Sequence, residues 1–286
     1  MDVGVVGAGR VGTALAVLLA QAGHRVVAAS GGEGSRERAA RFLPEVPFLP
    51  PAEAASRAEV VILAVPDDAI EPMCHELSEE RALGQGAVLH LSGSVSLEAL
   101  EASTAAGALG LSVHPLQTFP TVEAALERLR GSPAAVTAGT EEGYALGERL
   151  AGDAGCHPFR LPDERKPLYH AAAVFCSNYL AVLVAVGERL FGLAGIQDPV
   201  PLLAPLARAA LDNVLELGPA EALTGPAVRG DAGTVRRNLQ ALQAHAPEVV
   251  PAYVELARAA LDLGERSGRL AADGRAGVEE VLAEWR

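Results

Sequence analysis

Short, continuous apolar runs alternate with segments of helical periodicity from Met1 to about Pro162. The apolar runs predict seven β-strands: Val3–Val6, Arg25–Ala29, Val60–Val65, Ala87–Leu91, Leu109–Val113, Ala134–Ala138 and Pro158–Leu161. The intervening segments predict helices: Val11–Ala22, Asp68–Arg81, Ser96–Ala106, Thr121–Arg130 and Glu141–Ala151. Strands without polar alternation are typical of a parallel sheet covered by helices on both faces. We therefore predict an α/β domain with a doubly wound, mostly parallel sheet.

The pattern changes after Pro162, where strand-like runs almost vanish. Helices are predicted at Asp163–Leu193, Pro201–Leu217, Thr234–Ala244, Pro247–Ser267 and Val278–Trp285. We therefore divide the chain into an α/β domain, residues 1–162, and an all-α domain, residues 163–286. The stretch Ala171–Gly187 carries no charge, but its length is marginal for a membrane span. A buried helix, or a helix at a subunit interface, is the better interpretation of this stretch.

A glycine-rich turn joins the first predicted strand to the first predicted helix. Its residues are Gly7, Ala8, Gly9, Arg10, Val11 and Gly12. In the fingerprint GxGxxG the first glycine permits a tight turn, the second lets the backbone approach a diphosphate, and the third lets the helix pack against the strand. The helix N-terminus adds unpaired N–H groups that attract phosphate. The turn therefore predicts dinucleotide binding, with methyltransferases, which also use a glycine-rich turn, as a minor alternative.

The end of the second strand bears on which dinucleotide is bound. NAD sites usually carry an acidic residue there to bind the ribose hydroxyls, whereas this chain has Ser30. Ser35 and Arg36 follow and could hold a 2′-phosphate. NADP is therefore the expected cofactor and NAD the less expected one. Glu33 argues against this choice, and Ser35 could instead cap a surface helix.

Further candidates follow the third, fourth and fifth strands, because ligands of such sheets bind at the carboxyl ends of the strands. The candidate cofactor contacts are Ala64, Val65, Pro66, Ser92 and Gly93. The candidate substrate contacts are Ser94, Gln117 and Thr118, with His114 beside them as a candidate catalytic residue. Asp68 is expected mainly to be the N-cap of the following helix.

One side of the predicted helix after Pro162 is polar within an otherwise apolar segment. Lys166 and His170 are four residues apart and share a face, and Asn178 lies about 80° round from His170. Lys166 is also the one lysine among 23 basic residues, and lysine, unlike arginine, can lose its proton. Lys166, His170 and Asn178 are therefore candidate catalytic residues, and a satisfied buried hydrogen-bond network is the alternative.

A loop rich in glycine and proline spans residues 223–231 of the all-α domain. It carries Thr224 and Arg229, and the Arg229 guanidinium could bind a carboxylate through two hydrogen bonds. We take both as candidate substrate contacts. An ordinary helix connection capped by Asp231 or Thr234 is the alternative.

Composition excludes several classes of function. Half of the residues are hydrophobic and the net charge is −13, so a basic surface for nucleic acid is not expected. The three cysteines are widely spaced, and the sequence has neither a CxxC nor an HExxH motif, so neither a disulfide framework nor a metal site is expected. No basic and apolar leader precedes Val3, so we expect a cytoplasmic protein without a membrane partner.

Several motifs together resemble a known family. In chain order they are GAGRVG, AVPDDAI, HLSGS, HPLQTF, KPLYHAAAVFCSNYL and LTGPAVRGD. Over nearly its whole length the chain resembles the bacterial family that joins a Rossmann-like domain to a helical domain of unknown function, DUF2520. That family is similar to ketopantoate reductases, pyrroline-5-carboxylate reductases and β-hydroxyacid dehydrogenases.

The resemblance implies roles for particular residues and a mode of assembly. Relatives place a catalytic Lys and a substrate-binding Asn on the helix after the nucleotide domain, which implies an acid/base role for Lys166 or His170 and substrate binding by Asn178. His170 stands four residues after Lys166, where the Lys-x-x-x-Asn pattern has Asn. The helical domain is implied to form a homodimer.

The sequence as a whole predicts an NADP-dependent oxidoreductase that transfers hydride to or from a small carbonyl, imine or hydroxyacid compound in the cleft between its two domains. The proton would come from His170, Lys166 or His114, and histidine suits this role near neutral pH. A dinucleotide-binding sensor or regulatory protein without turnover is the alternative, because fold alone does not establish catalysis.

Overall fold

The computed structural model describes residues 1–80 and 82–285. The chain forms two compact units, Met1–Ser177 and Asn178–Arg286. The division lies beyond the expected boundary at Pro162, because the helix that follows Pro162 packs with the sheet of the first unit.

The first unit contains a seven-stranded sheet. Its strands are β1 (Asp2–Val6), β2 (Arg25–Ser30), β3 (Val60–Leu63), β4 (Ala87–His90), β5 (Leu109–Pro115), β6 (Pro133–Ala138) and β7 (His157–Arg160). The strand order is β2-β1-β3-β4-β5-β6-β7, and every neighbouring pair is parallel except β5 and β6. The predicted doubly wound, mostly parallel sheet is therefore confirmed, and the carboxyl ends of β1 to β5 share one edge.

Helices connect the strands and cover the sheet. They are α1 (Arg10–Gln21), α2 (Glu33–Phe42), α3 (Pro51–Ser56), α4 (Asp67–Glu79), α5 (Glu101–Ala105), α6 (Val122–Arg128), α7 (Glu141–Asp153) and α8 (Lys166–Cys176). The expected helix from Ser96 is split into a 3-10 turn, Leu97–Leu100, and α5. Arg81, the expected end of α4, lies outside the described residues.

The expectation that Asp68 is an N-cap is wrong. The N-cap of α4 is Pro66, and Asp67 and Asp68 occupy the first turn. Acidic side chains are stabilised there by the positive end of the helix dipole. Ser35 is not an N-cap either, because it lies inside α2, whose N-cap is Gly32.

Both faces of the sheet are buried, which explains the uninterrupted apolar runs. Val5 and Ile62 belong to a core cluster that includes side chains of α1, α6 and α7. Val61 and Leu63 point the other way, into a cluster with α4. Successive residues of a strand face opposite sides, so a strand with helices on both sides has no position for a polar side chain without a partner.

The second unit is helical. Its helices are α9 (Asn178–Leu193), α10 (Val200–Leu217), α11 (Pro219–Ala222), α12 (Ala232–His245), α13 (Val250–Arg266) and α14 (Ala272–Ala283). Buried apolar residues of α12, α13 and α14 form its core, among them Leu239, Leu261 and Val278. The expected all-α character of the C-terminal part of the chain is therefore confirmed.

The expected single helix Asp163–Leu193 is interrupted. A 3-10 turn precedes α8, and Ser177 separates α8 from α9 with φ −124° and ψ −65°. The Ser177 hydroxyl donates to the carbonyl of Ala173, four residues earlier. Serine hydroxyls that bond back in this way compete with the helix and bend it.

The same segment, 31 residues with mean hydropathy 1.6, is long and apolar enough to cross a membrane, a property that it shares with core helices of soluble proteins. None of the most apolar window of this segment is buried within the chain, so the expectation of a buried helix is wrong for the chain by itself, and a helix at a subunit interface stays a prediction. Large apolar side chains are exposed on α9 and α10, among them Leu183, Leu206 and Leu215.

Candidate functional site

The turn between β1 and α1 is held against the end of β2. The backbone N–H groups of Gly7 and Ala8 donate to the Ser30 carbonyl over 3.0 and 2.8 Å. Gly7 has φ +95°, and a Cβ on it would lie 2.5 Å from the Ala64 carbonyl oxygen, so the turn requires glycine here. A Cβ on Gly12 would lie 2.6 Å from the Ala64 Cβ, so this glycine lets α1 pack closely against β3.

Gly9 faces open space instead. A Cβ built on Gly9 would have no neighbour closer than 3.9 Å. Gly9 also borders a cavity of about 670 Å³ that runs along the carboxyl edge of the sheet. A backbone that borders a cavity at the N-terminus of a helix is suited to bind phosphate, so the residues present fit a dinucleotide.

Most of the predicted cofactor contacts line this cavity. They are Gly7, Gly9, Arg10, Val11, Gly12, Ser35, Ala64, Val65, Pro66 and Ser92. His114 and Gln117 line it as well. The other predicted contacts, Ala8, Ser30, Arg36 and Gly93, are not among the lining residues. Ala8 and Ser30 are buried and support the turn through their backbone atoms.

Arg38, rather than Arg36, lines the cavity beside α2. The Arg38 guanidinium donates to the Ala8 carbonyl over 3.2 Å and to the Ser35 hydroxyl over 3.3 Å. The Arg36 guanidinium lies over the Phe48 ring, 4.5 Å from its centre. On α2 the residues at i and i+3 share a face, so Arg38 follows Ser35 to the cavity and Arg36 does not.

The opposite end of the cavity contains Asp67, which sequence reasoning missed. One carboxylate oxygen of Asp67 accepts hydrogen bonds from the hydroxyls of Ser92 and Ser94, over 2.8 and 2.9 Å. The predicted substrate contact Ser94 is therefore engaged with Asp67. The position of Asp67 directly after the AVP segment at the end of β3 was the available signal.

Lys166 lies beneath this end of the cavity and is not among its lining residues. It is 1% exposed, and its ammonium donates to the Ser92 carbonyl over 2.9 Å and to the Ser112 hydroxyl over 2.6 Å. Burial lowers the pKa of Lys166 to about 8, against the opposing charges of Asp163 and Asp67. Ser112 was missed, although a serine inside an apolar strand is a recognisable signal.

His114 lines the cavity and is tied to α8. Its Nδ1 lies 2.9 Å from the Tyr169 hydroxyl. Burial, and then the charges of Lys166 and His170, lower the pKa of His114 to about 4. Burial raises the pKa of Tyr169 to about 12. At neutral pH this imidazole is therefore uncharged and its tyrosine partner keeps its proton.

Two further histidines lie close by. His90, at the end of β4, accepts at Nδ1 from the backbone N–H of Ser92 over 3.2 Å, and burial with the charge of Lys166 lowers its pKa to about 3. His170 Nδ1 is buried and has no hydrogen-bond partner among the described residues. A Cβ on Gly93 would lie 2.9 Å from both His114 Nε2 and His170 Nδ1, so both rings pack closely against this glycine and a larger residue would not fit.

Several other predicted site residues are not among those that line this cavity. The backbone N–H of Thr118 donates to the Gln117 side chain over 2.8 Å, at the exposed rim of the first unit. Asn178, Thr224 and Arg229 belong to the second unit, where Thr224 and Arg229 are exposed. Asp231 caps α12 through the backbone N–H of Thr234, as the alternative interpretation of this loop expected. No group of three potential metal ligands occurs in the described residues.

The fold and the glycine turn together define a dinucleotide-binding protein of the Rossmann type. Family models match a Rossmann-like domain over residues 1–115 and the domain of unknown function DUF2520 over residues 132–260. The chain therefore contains a Rossmann-like domain followed by a DUF2520 domain, and the resemblance inferred from its motifs is confirmed. No protein among the curated sequences matches the chain.

Solved structures share this architecture. A Bacteroides fragilis protein, provisionally named an NADP oxidoreductase, is 25% identical with a TM-score of 0.75 and covers 91% of this chain and 98% of its own. A Thermotoga maritima protein is also 25% identical, with a TM-score of 0.72 and coverages of 94% and 100%. An imine reductase of Streptomyces aurantiacus is 18% identical, with a TM-score of 0.59 and 99% of each chain covered, and it shows likeness of fold alone.

Proposed function

We propose that this protein is a cytoplasmic oxidoreductase that uses NADP to reduce or oxidise a small carbonyl, imine or hydroxyacid compound. The observation that carries the proposal is a single cavity with the open Gly9 backbone at one end and polar side chains, including His114, at the other. The name of the Bacteroides protein supports the same class of reaction.

The residues divide into those that would hold the cofactor and those that would serve the reaction. The backbone of Gly9 and the N-terminus of α1 would bind the diphosphate. Ser35 and Arg38 would bind the 2′-phosphate, because the residues that line this cavity include no acidic group at that end. The bound cofactor supplies the hydride, and the protein supplies orientation and electrostatics.

The proton-handling group is proposed among His114, Lys166 and His170. His114 borders the cavity and is favoured as the group that contacts the substrate, whereas the Lys166 ammonium is buried and engaged with two acceptors. Asn178 and Arg229, with Thr224, are proposed substrate contacts from the second unit.

Calorimetry with NADPH and NADH tests the proposal. We expect NADPH to bind more tightly than NADH, and NADPH oxidation with at least one member of a panel of ketones, cyclic imines and 2-oxoacids. Absence of binding by both coenzymes would refute the proposal. Binding without turnover over the whole panel would favour a dinucleotide sensor.

We also propose that the protein is a homodimer joined through its helical unit. An apolar groove of about 400 Å³ lies between α9 and α10, lined by residues such as Leu183, Phe191 and Leu206. Exposed apolar surface of this extent is typical of subunit interfaces. Sedimentation at micromolar concentration tests the proposal, and a monomer there would contradict it.

A further inference from the structure

Helix α8 presents three neighbouring side chains to the ends of β4 and β5. Lys166, Tyr169 and His170 are spaced at i, i+3 and i+4, so they share one face of the helix. Lys166 reaches under the Ser92 turn, Tyr169 reaches His114, and His170 reaches the space beside Gly93. A single helix therefore organises the catalytic end of the cavity.

Lys166 acts on this end without contacting it. Its ammonium joins the Ser92 carbonyl, at the end of β4, to the Ser112 hydroxyl of β5. At 1% exposure it is not placed to touch a substrate in the cavity. Removal of a buried hydrogen-bonding partner leaves the groups that it held without a hydrogen bond, which costs free energy. Lys166 is therefore suited to a positioning role.

His114 has one ring nitrogen held, and the residue borders the cavity. Nδ1 faces the Tyr169 hydroxyl at 2.9 Å, and no other acceptor is recorded for that hydroxyl in the described chain. A tyrosine that donates to Nδ1 fixes the neutral ring with its proton on Nε2. Nε2 packs beside the backbone of Gly93, where an added Cβ would lie 2.9 Å from it.

The charges around the His114 ring disfavour its protonation. The groups that act on it are the cation of Lys166, the ring of His170 and the carboxylate of Asp67, with burial as the largest effect. Lys166 and His170 disfavour a positive ring, and Asp67 alone opposes them. A neutral imidazole in such a site still donates one hydrogen bond but carries no spare proton.

We propose that His114 is a catalytic residue that acts as a neutral hydrogen-bond donor, its Nε2–H directed at the oxygen or nitrogen of the reacting substrate group, with Tyr169 fixing the tautomer and Lys166 as a positioning residue that joins the ends of β4 and β5 and whose charge adds to burial in disfavouring an imidazolium. The proposal rests on the proposed function for its substrate class. It differs from an imidazolium acid or a lysine acid in that neither group must be charged to act on the substrate.

Nitrogen-15 NMR of the histidine rings tests the proposal in the full-length protein, with His114→Gln assigning the signal. We expect the wild-type ring to be neutral at pH 7, to carry its proton on Nε2, and to titrate near pH 4 rather than 6.5. Tyr169→Phe is expected to lose the single tautomer. Lys166→Met and Lys166→Gln are expected to raise the pKa of His114 part of the way toward 6.5. The rise is partial because the ring stays buried.

Arg165→Met is the matched control, because it removes one positive charge from an exposed neighbour of Lys166. It is expected to leave the His114 titration unchanged. Gln can donate to the Ser92 carbonyl without a charge, so Lys166→Gln serves if Lys166→Met fails to fold by circular dichroism. If both Lys166→Met and Lys166→Gln unfold, Lys166 is required for the fold, and its assignment as a residue that acts on His114 is overturned.

Three results would overturn the proposal: a wild-type ring that titrates near 6.5, a proton on Nδ1 of the neutral ring, or equal titrations in Lys166→Gln and Arg165→Met. NADPH binding by the same wild-type sample is measured by calorimetry. The ring titration needs no cofactor. A failure of NADPH binding would therefore refute the proposed function, and a failed ring titration would refute this inference, independently of each other.

Discussion

Gly9 and Gly12 stand three residues apart, and one added methyl group should affect them in different ways. Gly9 has φ −73° and ψ −165°, which alanine adopts readily, and its new Cβ would have no neighbour within 3.9 Å. Exchange of glycine for alanine at an N-cap costs about 0.5 kcal/mol. The main effect of the methyl group is expected on binding, because it would occupy the side of the turn that borders the cavity, where we expect the diphosphate.

The methyl group of Gly12→Ala meets protein. Its Cβ would lie 2.6 Å from the Ala64 Cβ and 2.7 Å from the Gly7 carbonyl oxygen, and neither neighbour is a flexible side-chain end. Overpacking of this kind costs about 1–3 kcal/mol, and the better helix propensity of alanine offsets about 1 kcal/mol. A net loss of about 1 kcal/mol lowers Tm by about 2–4 °C in a unit of this size.

Calorimetry and thermal unfolding separate the two effects. Gly9→Ala should retain nearly the wild-type Tm and bind NADPH at least about tenfold more weakly, which corresponds to about 1.4 kcal/mol. Gly152→Ala, in α7 with no neighbour within 4 Å, is the matched control and should change neither quantity adversely. Unchanged NADPH affinity in Gly9→Ala would refute the approach of the diphosphate to this backbone.

Three further predictions follow from the structure. Arg38→Met should weaken NADPH binding about tenfold and leave NADH binding unchanged, whereas Arg36→Met should alter neither; equal loss for both coenzymes would contradict the 2′-phosphate assignment. The pKa of His90 is about 3 and that of His114 about 4 in the folded protein, against 6.5 when unfolded, so the unfolded chain binds protons that the folded chain excludes, and stability should fall as pH drops from 6.5 toward 3. Thermal unfolding across this range should show a shallower fall for His90→Gln, and an unchanged slope would count against a buried neutral ring. Leu206→Glu should shift sedimentation toward the monomer, because Leu206 is 65% exposed on the apolar groove.

The fold was predictable because its signals are local. The strands β1, β3 and β4 were found within two residues from their apolar runs alone, and the GAGRVG turn was placed correctly between β1 and α1. Helices α2 and α3 were not predicted, since α2 is mostly polar and α3 has only six residues. The break at Ser177 was missed because one serine is compatible with a helix and its hydroxyl interrupts this one only through a specific bond to Ala173.

The site was predictable only in part. The sequence indicated Lys166, His114 and His170 as alternative proton donors. No spacing rule shows that Lys166 is buried under Ser92 while His114 borders the cavity. Tyr169, the partner of His114, lies between two candidates in the sequence and was not predicted. Its hydroxyl has a role only because β5 and α8 pack together and bring it next to His114.

The sequence by itself determined that an α/β sheet with a dinucleotide-binding turn comes first and that helices follow, because periodicity and glycine spacing are properties of neighbouring residues. Only the tertiary structure decided which of three proton-bearing side chains borders the cavity, which arginine lines it, and which acid joins the site. Those choices depend on contacts between residues up to 74 positions apart, and burial there, rather than residue type, sets the charge that each group carries.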